Sequence, residues 1–105
     1  MALDCKKLSE ITKKSRGIML KKVNDWLVHR QQGIAENMVK RAESGFGEAV
    51  ITIPVPQVIG LSATGDTLGL TISVCVEAVQ EFVGGDAKVS ARGQYDNIVV
   101  VVNWQ

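Results

Sequence analysis

The sequence predicts an α+β fold: a long N-terminal helix followed by β-α-β-β, with a small three-stranded mixed sheet in the order 1-3-2 and helices on one of its faces. Three observations lead there. Residues 1–45 carry an amphipathic stripe at helical spacing, the apolar period shortens to two after "SGFG", and the chain closes on "DNIVVVVNWQ" with four consecutive valines. The whole reads as a single domain, 1–105, made of a basic amphipathic helix over 1–45 and a small sheet unit over 46–105.

The helix comes first. Leu8, Ile11, Ile18, Met19, Val23 and Trp26 gather on one side of a helical wheel, and Lys6, Lys7, Lys13, Lys14 and Lys21 fall on the other. The pattern runs from about Lys6 to Ser44, with a bend expected near Gly33, where "HRQQG" interrupts the stripe. Gly17 and Gly33 each weaken a helix by roughly 1 kcal/mol relative to Ala, so packing must hold it. At about 1.5 Å per residue it overhangs any sheet this chain can build. Two copies packing their stripes together would bury the excess.

"EAVITIPVP" alternates, with Ala49, Ile51, Ile53 and Val55 on one face and Val50 and Thr52 on the other. Pro54 and Pro56 end this strand and place it at an edge. "LTISVCVEAVQEFVGG" fits two periods. Ile72, Val76, Val79 and Val83 have helical spacing, while Ile72, Val74 and Val76 alternate as a strand would. Glu77, Glu81 and the Gly84-Gly85 stop favour a helix, and the β-branched residues argue for a strand. "AKVSA" makes a short strand with Val89 and Ala91 inward, and "RGQYDN" turns the chain into the valine strand.

A strand-helix-strand connection makes the first two strands parallel to each other, and the hairpin sets the last antiparallel to the second. The most apolar strand belongs in the centre. Ile98, Val100, Val102 and Trp104 then point one way, and Val99, Val101 and Asn103 the other. Helices cover one face. The other shows Val99 and Val101 with Val50, an apolar patch that a monomer would leave wet. A second protomer, or the N-terminal helix of a neighbour, is expected against it, with Trp26, Val99, Val101 and Trp104 as oligomer-interface residues.

Composition is that of an ordinary globular chain, 46% hydrophobic and 22% charged, with net charge +1, which excludes disorder and low complexity. The start "MALDCKKLSE" has no apolar stretch behind it, so neither a signal peptide nor a membrane span is expected and the location expected is cytoplasmic. Cys5 and Cys75 stand far apart and read as two reduced thiols. Charge is uneven. Residues 1–45 hold ten basic against five acidic groups, and residues 46–105 two against six. A basic helix can track phosphates, but no aromatics stand among these lysines to stack bases and the acidic half repels a polyanion. A solvated helix face is the better reading.

The residues offer little for catalysis. His29 is the one histidine, with Asp25 four residues earlier, and a surface ion pair is the expected outcome. One histidine makes no metal site alone. In "GLSATGDTLG", Gly60 and Gly65 have Walker A spacing and Thr67 stands at the hydroxyl position, but Asp66 replaces the lysine and repels the phosphates the loop would cradle. The loop retains a lesser possibility. Its backbone N–H groups, with the hydroxyls of Ser62, Thr64 and Thr67, suit a small polar ligand.

The pieces "EITKKSR", "RAESGFGEAVITI", "VQEFVGGDAKVS" and "IVVVVNWQ" resemble the short accessory proteins of tailed phages and prophages. Those have a long N-terminal helix, a Gly-led strand, a second helix ending at Gly and a hairpin closing on an aromatic. The chain departs from them at Gly84-Gly85, where Gly-Tyr is common, and in the insert "VIGLSATGDTLGL". The resemblance implies a mobile-element origin and no catalytic residues or cofactor. It further implies sequestration of a host signalling ligand in an oligomer, with Arg16 and Arg92 holding its phosphates. The expected function is thus a non-enzymatic homo-oligomer that binds and blocks a host protein or small phosphate-bearing ligand. A structural component of a virion is the alternative, and nucleic-acid binding through the N-terminal helix a second one.

Overall fold

Asp4 opens the first helix. Its carboxylate accepts from the backbone N–H of Lys6 at 3.0 Å and of Lys7 at 3.4 Å, satisfying donors that the first turn leaves without partners. Helix α1 follows over Cys5–His29. The computed structural model describes residues 4–60 and 65–105.

Helix α2, Gln31–Glu43, follows after one non-helical residue, Arg30, at φ −112° and ψ 12°. The Arg30 N–H still donates to the Leu27 carbonyl at 3.1 Å, and its own carbonyl accepts from Ile34 at 2.9 Å. The break therefore falls three residues before Gly33, the position expected from sequence. From Cys5 to Glu43, about 1.5 Å per residue gives roughly 58 Å, close to the 61 Å long axis of the molecule, so the two helices are nearly collinear. The radius of gyration is 15.4 Å, against about 13 Å for a compact chain of this length.

Strand β1, Glu48–Pro54, ends at its proline, and a single turn, α3 (Val55–Val58), carries the chain away from the sheet. Sequence periodicity gave no sign of that turn. Helix α4 spans Asp66–Val83. Thr71, Val74, Cys75, Ala78 and Val79 are all buried along it, a stripe at helical spacing that outweighs the β-branched composition. Gly84, at φ +95°, ends the helix in a conformation that suits glycine. Strands β2 (Lys88–Gln94) and β3 (Asn97–Asn103) form the closing hairpin.

The sheet order is β1-β3-β2 with both ladders antiparallel. β1 and β2 run the same way, but β3 separates them. The sheet is therefore antiparallel throughout rather than mixed.

The valines divide as the pleat requires. Ile98, Val100 and Val102 are fully buried beneath the helices with Ile51, Ile53, Val23, Leu27, Val74 and Val79. Val99 and Val101 turn to the opposite face beside Val50, Thr52, Ser90 and Arg92. The first turns of α1 reach beyond the core, leaving Leu8 and Ile11 exposed. Among the described residues no helix is long and apolar enough to cross a membrane, and both cysteines are free.

Candidate functional site

The free edge of β1 carries a concavity. In an antiparallel ladder, hydrogen-bonded and non-bonded pairs alternate. The Val55 N–H donates to the Asp96 carbonyl at 3.2 Å, and the Trp104 N–H to the Gly47 carbonyl at 3.0 Å. These two bonds set the phase: odd-numbered residues of β1 bond to β3, and Glu48, Val50, Thr52 and Pro54 turn their backbone groups outward.

The ends of this edge are closed. The Glu48 carbonyl accepts from Arg41 Nε at 2.7 Å, and the Arg41 guanidinium also lies 4.2 Å from the centre of the Phe46 ring. Pro54 has no N–H to offer. Between them, the N–H and C=O of Val50 and Thr52 have no hydrogen-bond partner among the described residues.

Helix α2 stands beside this edge. A groove of about 340 Å³ separates them, lined by Ile34, Asn37 and Met38 on the helix side and by residues Ala49–Thr52 on the strand. Trp26 and Arg30 also line it, the guanidinium carbon lying 4.5 Å from the indole centroid. The one-residue break in the helix sits at this arginine.

The second surface is the uncovered face of the sheet. Val50 is 49% exposed and Val101 half-buried, whereas Val99 is only 6% exposed. Thr52 and Arg92 stand directly across from Val99 on either side, close enough to cover it.

Among the described residues, the two arginines expected to hold a ligand are not brought together in one chain. Arg16 points from α1 to α4, where Nη2 donates to Ser73 Oγ at 2.9 Å and to Glu77 Oε2 at 2.7 Å. Arg92 lies on the far face of the sheet, and Thr67 is half-buried at the start of α4. Ser62 and Thr64 lie outside the described residues. Arg16 and Arg92 therefore cannot clasp one phosphate within a protomer, because the sheet stands between them.

The expected interface residues also divide. Trp26 and Trp104 pack against the core on the helix side, while Val99 and Val101 face the other way. His29 does not pair with the Asp25 carboxylate. Its Nδ1 lies 2.7 Å from the Asp25 backbone carbonyl, so that nitrogen carries the proton and donates. Burial pushes the Cys75 thiol up to about 12, which removes it as a nucleophile at neutral pH. Among the described residues no cluster of His, Cys, Asp and Glu has the makings of a metal site.

The chain matches no protein-family model, no curated protein and no solved structure.

Sequence reasoning missed Arg30, Asn37 and Met38. The signal was present in part: Trp26 and Arg30 have the i, i+4 spacing of helix neighbours, and "HRQQG" marks the break. What it lacked was the strand edge that turns these residues into a groove.

Proposed function

We propose that this protein works by association rather than catalysis, as a homo-oligomeric accessory protein of phage or mobile-element type that binds a host factor and blocks or sequesters it. One observation carries the reading. The sheet presents Val50 and Val101 on a face that no described helix covers, and a second copy of the same face would remove that apolar surface from water. The groups best suited to chemistry are engaged elsewhere: the His29 ring on a main-chain carbonyl, the Cys75 thiol in the core, and Arg16 on Glu77.

A protein target fits better than a phosphate-bearing one, because the Glu77 carboxylate already occupies Arg16 and opposes an anion there. A role as a structural component draws on a different observation, the N-terminal overhang of α1 with Leu8 and Ile11 exposed.

Sedimentation velocity on wild type, Val50→Lys and Val101→Lys tests the reading. An oligomer that falls to monomer in both variants, with circular dichroism unchanged, is expected. A wild type that stays monomeric at micromolar concentration would overturn it.

A further inference from the structure

Three features converge on the free edge of β1. The first is the edge itself. A row of unpaired N–H and C=O groups is a template for another strand, and proteins commonly blunt it with proline, charge or cover. Here Pro54 and Arg41 blunt the ends and leave the middle, Val50 and Thr52, open.

The second is the wall. Ile34 and Met38 of α2 are half-buried against the core and face the groove together with Trp26. Its 340 Å³ is within the range that holds side chains of a bound ligand. Gly33 belongs to the same lining, and a Cβ there would meet nothing within 4 Å. The fold does not require glycine at this helical position, and its absent methyl leaves the groove wider.

The third is charge. Arg30 stacks on Trp26 and pairs with no carboxylate among the described residues, and the Asn37 side chain has no hydrogen-bond partner among them.

We propose that this groove takes an extended segment of a partner protein as a fourth strand on β1. Its β-branched side chains face Trp26, Ile34 and Met38, and one carboxylate side chain faces Arg30. Main-chain bonds to Val50 and Thr52 supply affinity, while the wall and the arginine select the side chains. A second copy of this chain fits less well. The one acid of β1, Glu48, shares the open face with Val50 and Thr52, away from the groove, so pairing two β1 edges would leave Arg30 without a carboxylate. The proposal rests on the reading of the protein as a binding protein and names the partner's chemistry.

The test screens the full-length chain against random heptapeptides, acetylated and amidated at their ends, and measures selected peptides by fluorescence polarisation. Recovered peptides should alternate β-branched residues and carry Asp or Glu at one fixed position. Converting that acid to its amide, or Arg30→Gln in the protein, should each weaken binding by about tenfold, the size of one charge-assisted hydrogen bond. The two changes together should do little more than either alone. N-methylating the peptide nitrogens that face β1 should abolish binding, and methylating the intervening ones should not. Thr52→Pro, which removes an outward donor, should have the same effect as the first set. The methylated peptides give that answer on the unaltered protein, so a misfolded variant does not decide the matter. Gly33→Ala should weaken binding several-fold and Gly17→Ala leave it unchanged.

No saturable binding, indifference to N-methylation, or indifference to Arg30→Gln would overturn the proposal. Recovery of sequences matching β1 alone would make the groove a self-interface and overturn it too. Sedimentation in parallel separates the two readings: an oligomer that binds no peptide refutes the groove alone, and a monomer that binds peptides refutes the oligomer alone.

Discussion

Arg16 on α1 meets Glu77 on α4, Nη2 to Oε2 at 2.7 Å, with the two side chains 31% and 45% exposed. The pair joins two helices whose residue numbers differ by 61, and it explains why Arg16 is not free for an anion. At this exposure the contribution is small, about 0.5 kcal/mol and screened by salt. A double-mutant cycle of Arg16→Ala and Glu77→Ala should read a coupling of that size at low ionic strength and almost none at 1 M salt. If a phosphate-bearing ligand does use Arg16, Glu77→Gln should tighten its binding.

Val100 and Val101 are neighbours in sequence with opposite surroundings. Val100 is fully buried beneath the helices, while Val101 lies half-buried on the uncovered face. Val100→Ala should cost roughly 2–3 kcal/mol by lost burial and cavity formation. Val101→Ala should cost under about 1 kcal/mol in the monomer, with its larger effect on self-association. Urea unfolding of dilute protein checks both, and equal costs would contradict the assignment of faces.

Much of the fold was legible in the sequence because its periods are clean. The two-residue alternation of Ala49, Ile51 and Ile53 and the valine run fixed the inner face and put β3 in the centre. Residues 70–83 were legible only in part, since Ile72 and Val76 belong to both periods, and burial of a whole helical stripe decided between them. The turn at Val55–Val58 depends on backbone geometry at single positions, which composition does not encode, and the break was legible as the interruption "HRQQG" without its exact residue, Arg30. The candidate site was least legible. The groove needs the side chains of Trp26 and Arg30 beside the edge of a strand some twenty residues later, and no local pattern announces that meeting.

Cys75 gives a pH-dependent stability. Its ordinary value of 9.0 rises to about 12 in the folded chain because burial disfavours the thiolate. The folded state then holds a proton that the unfolded state releases between pH 9.0 and about 12, so its contribution is intact below pH 9.0 and is lost as pH rises through this window. Thermal unfolding of wild type and Cys75→Ala should show a steeper alkaline decline in wild type. In the native protein at pH 8, a thiol reagent should modify exposed Cys5 quickly and Cys75 only after unfolding.

Tyr95 occupies the hairpin turn at φ +57° and is 89% exposed. A left-handed conformation costs an ordinary side chain about 1–2 kcal/mol, and asparagine tolerates it better. Tyr95→Asn should therefore stabilise the chain by about 0.5–1 kcal/mol, visible as a rise in Tm. A fall in Tm would mean that the ring contributes more than its exposure suggests.

Native mass spectrometry of the gently purified protein, reading protomer number and retained mass together, tests the central claim most directly. A closed oligomer of defined number is expected, with the uncovered valine face buried between copies. A bare monomer at micromolar concentration would contradict it, because Val50 and Val101 would then face water in the working form of the protein.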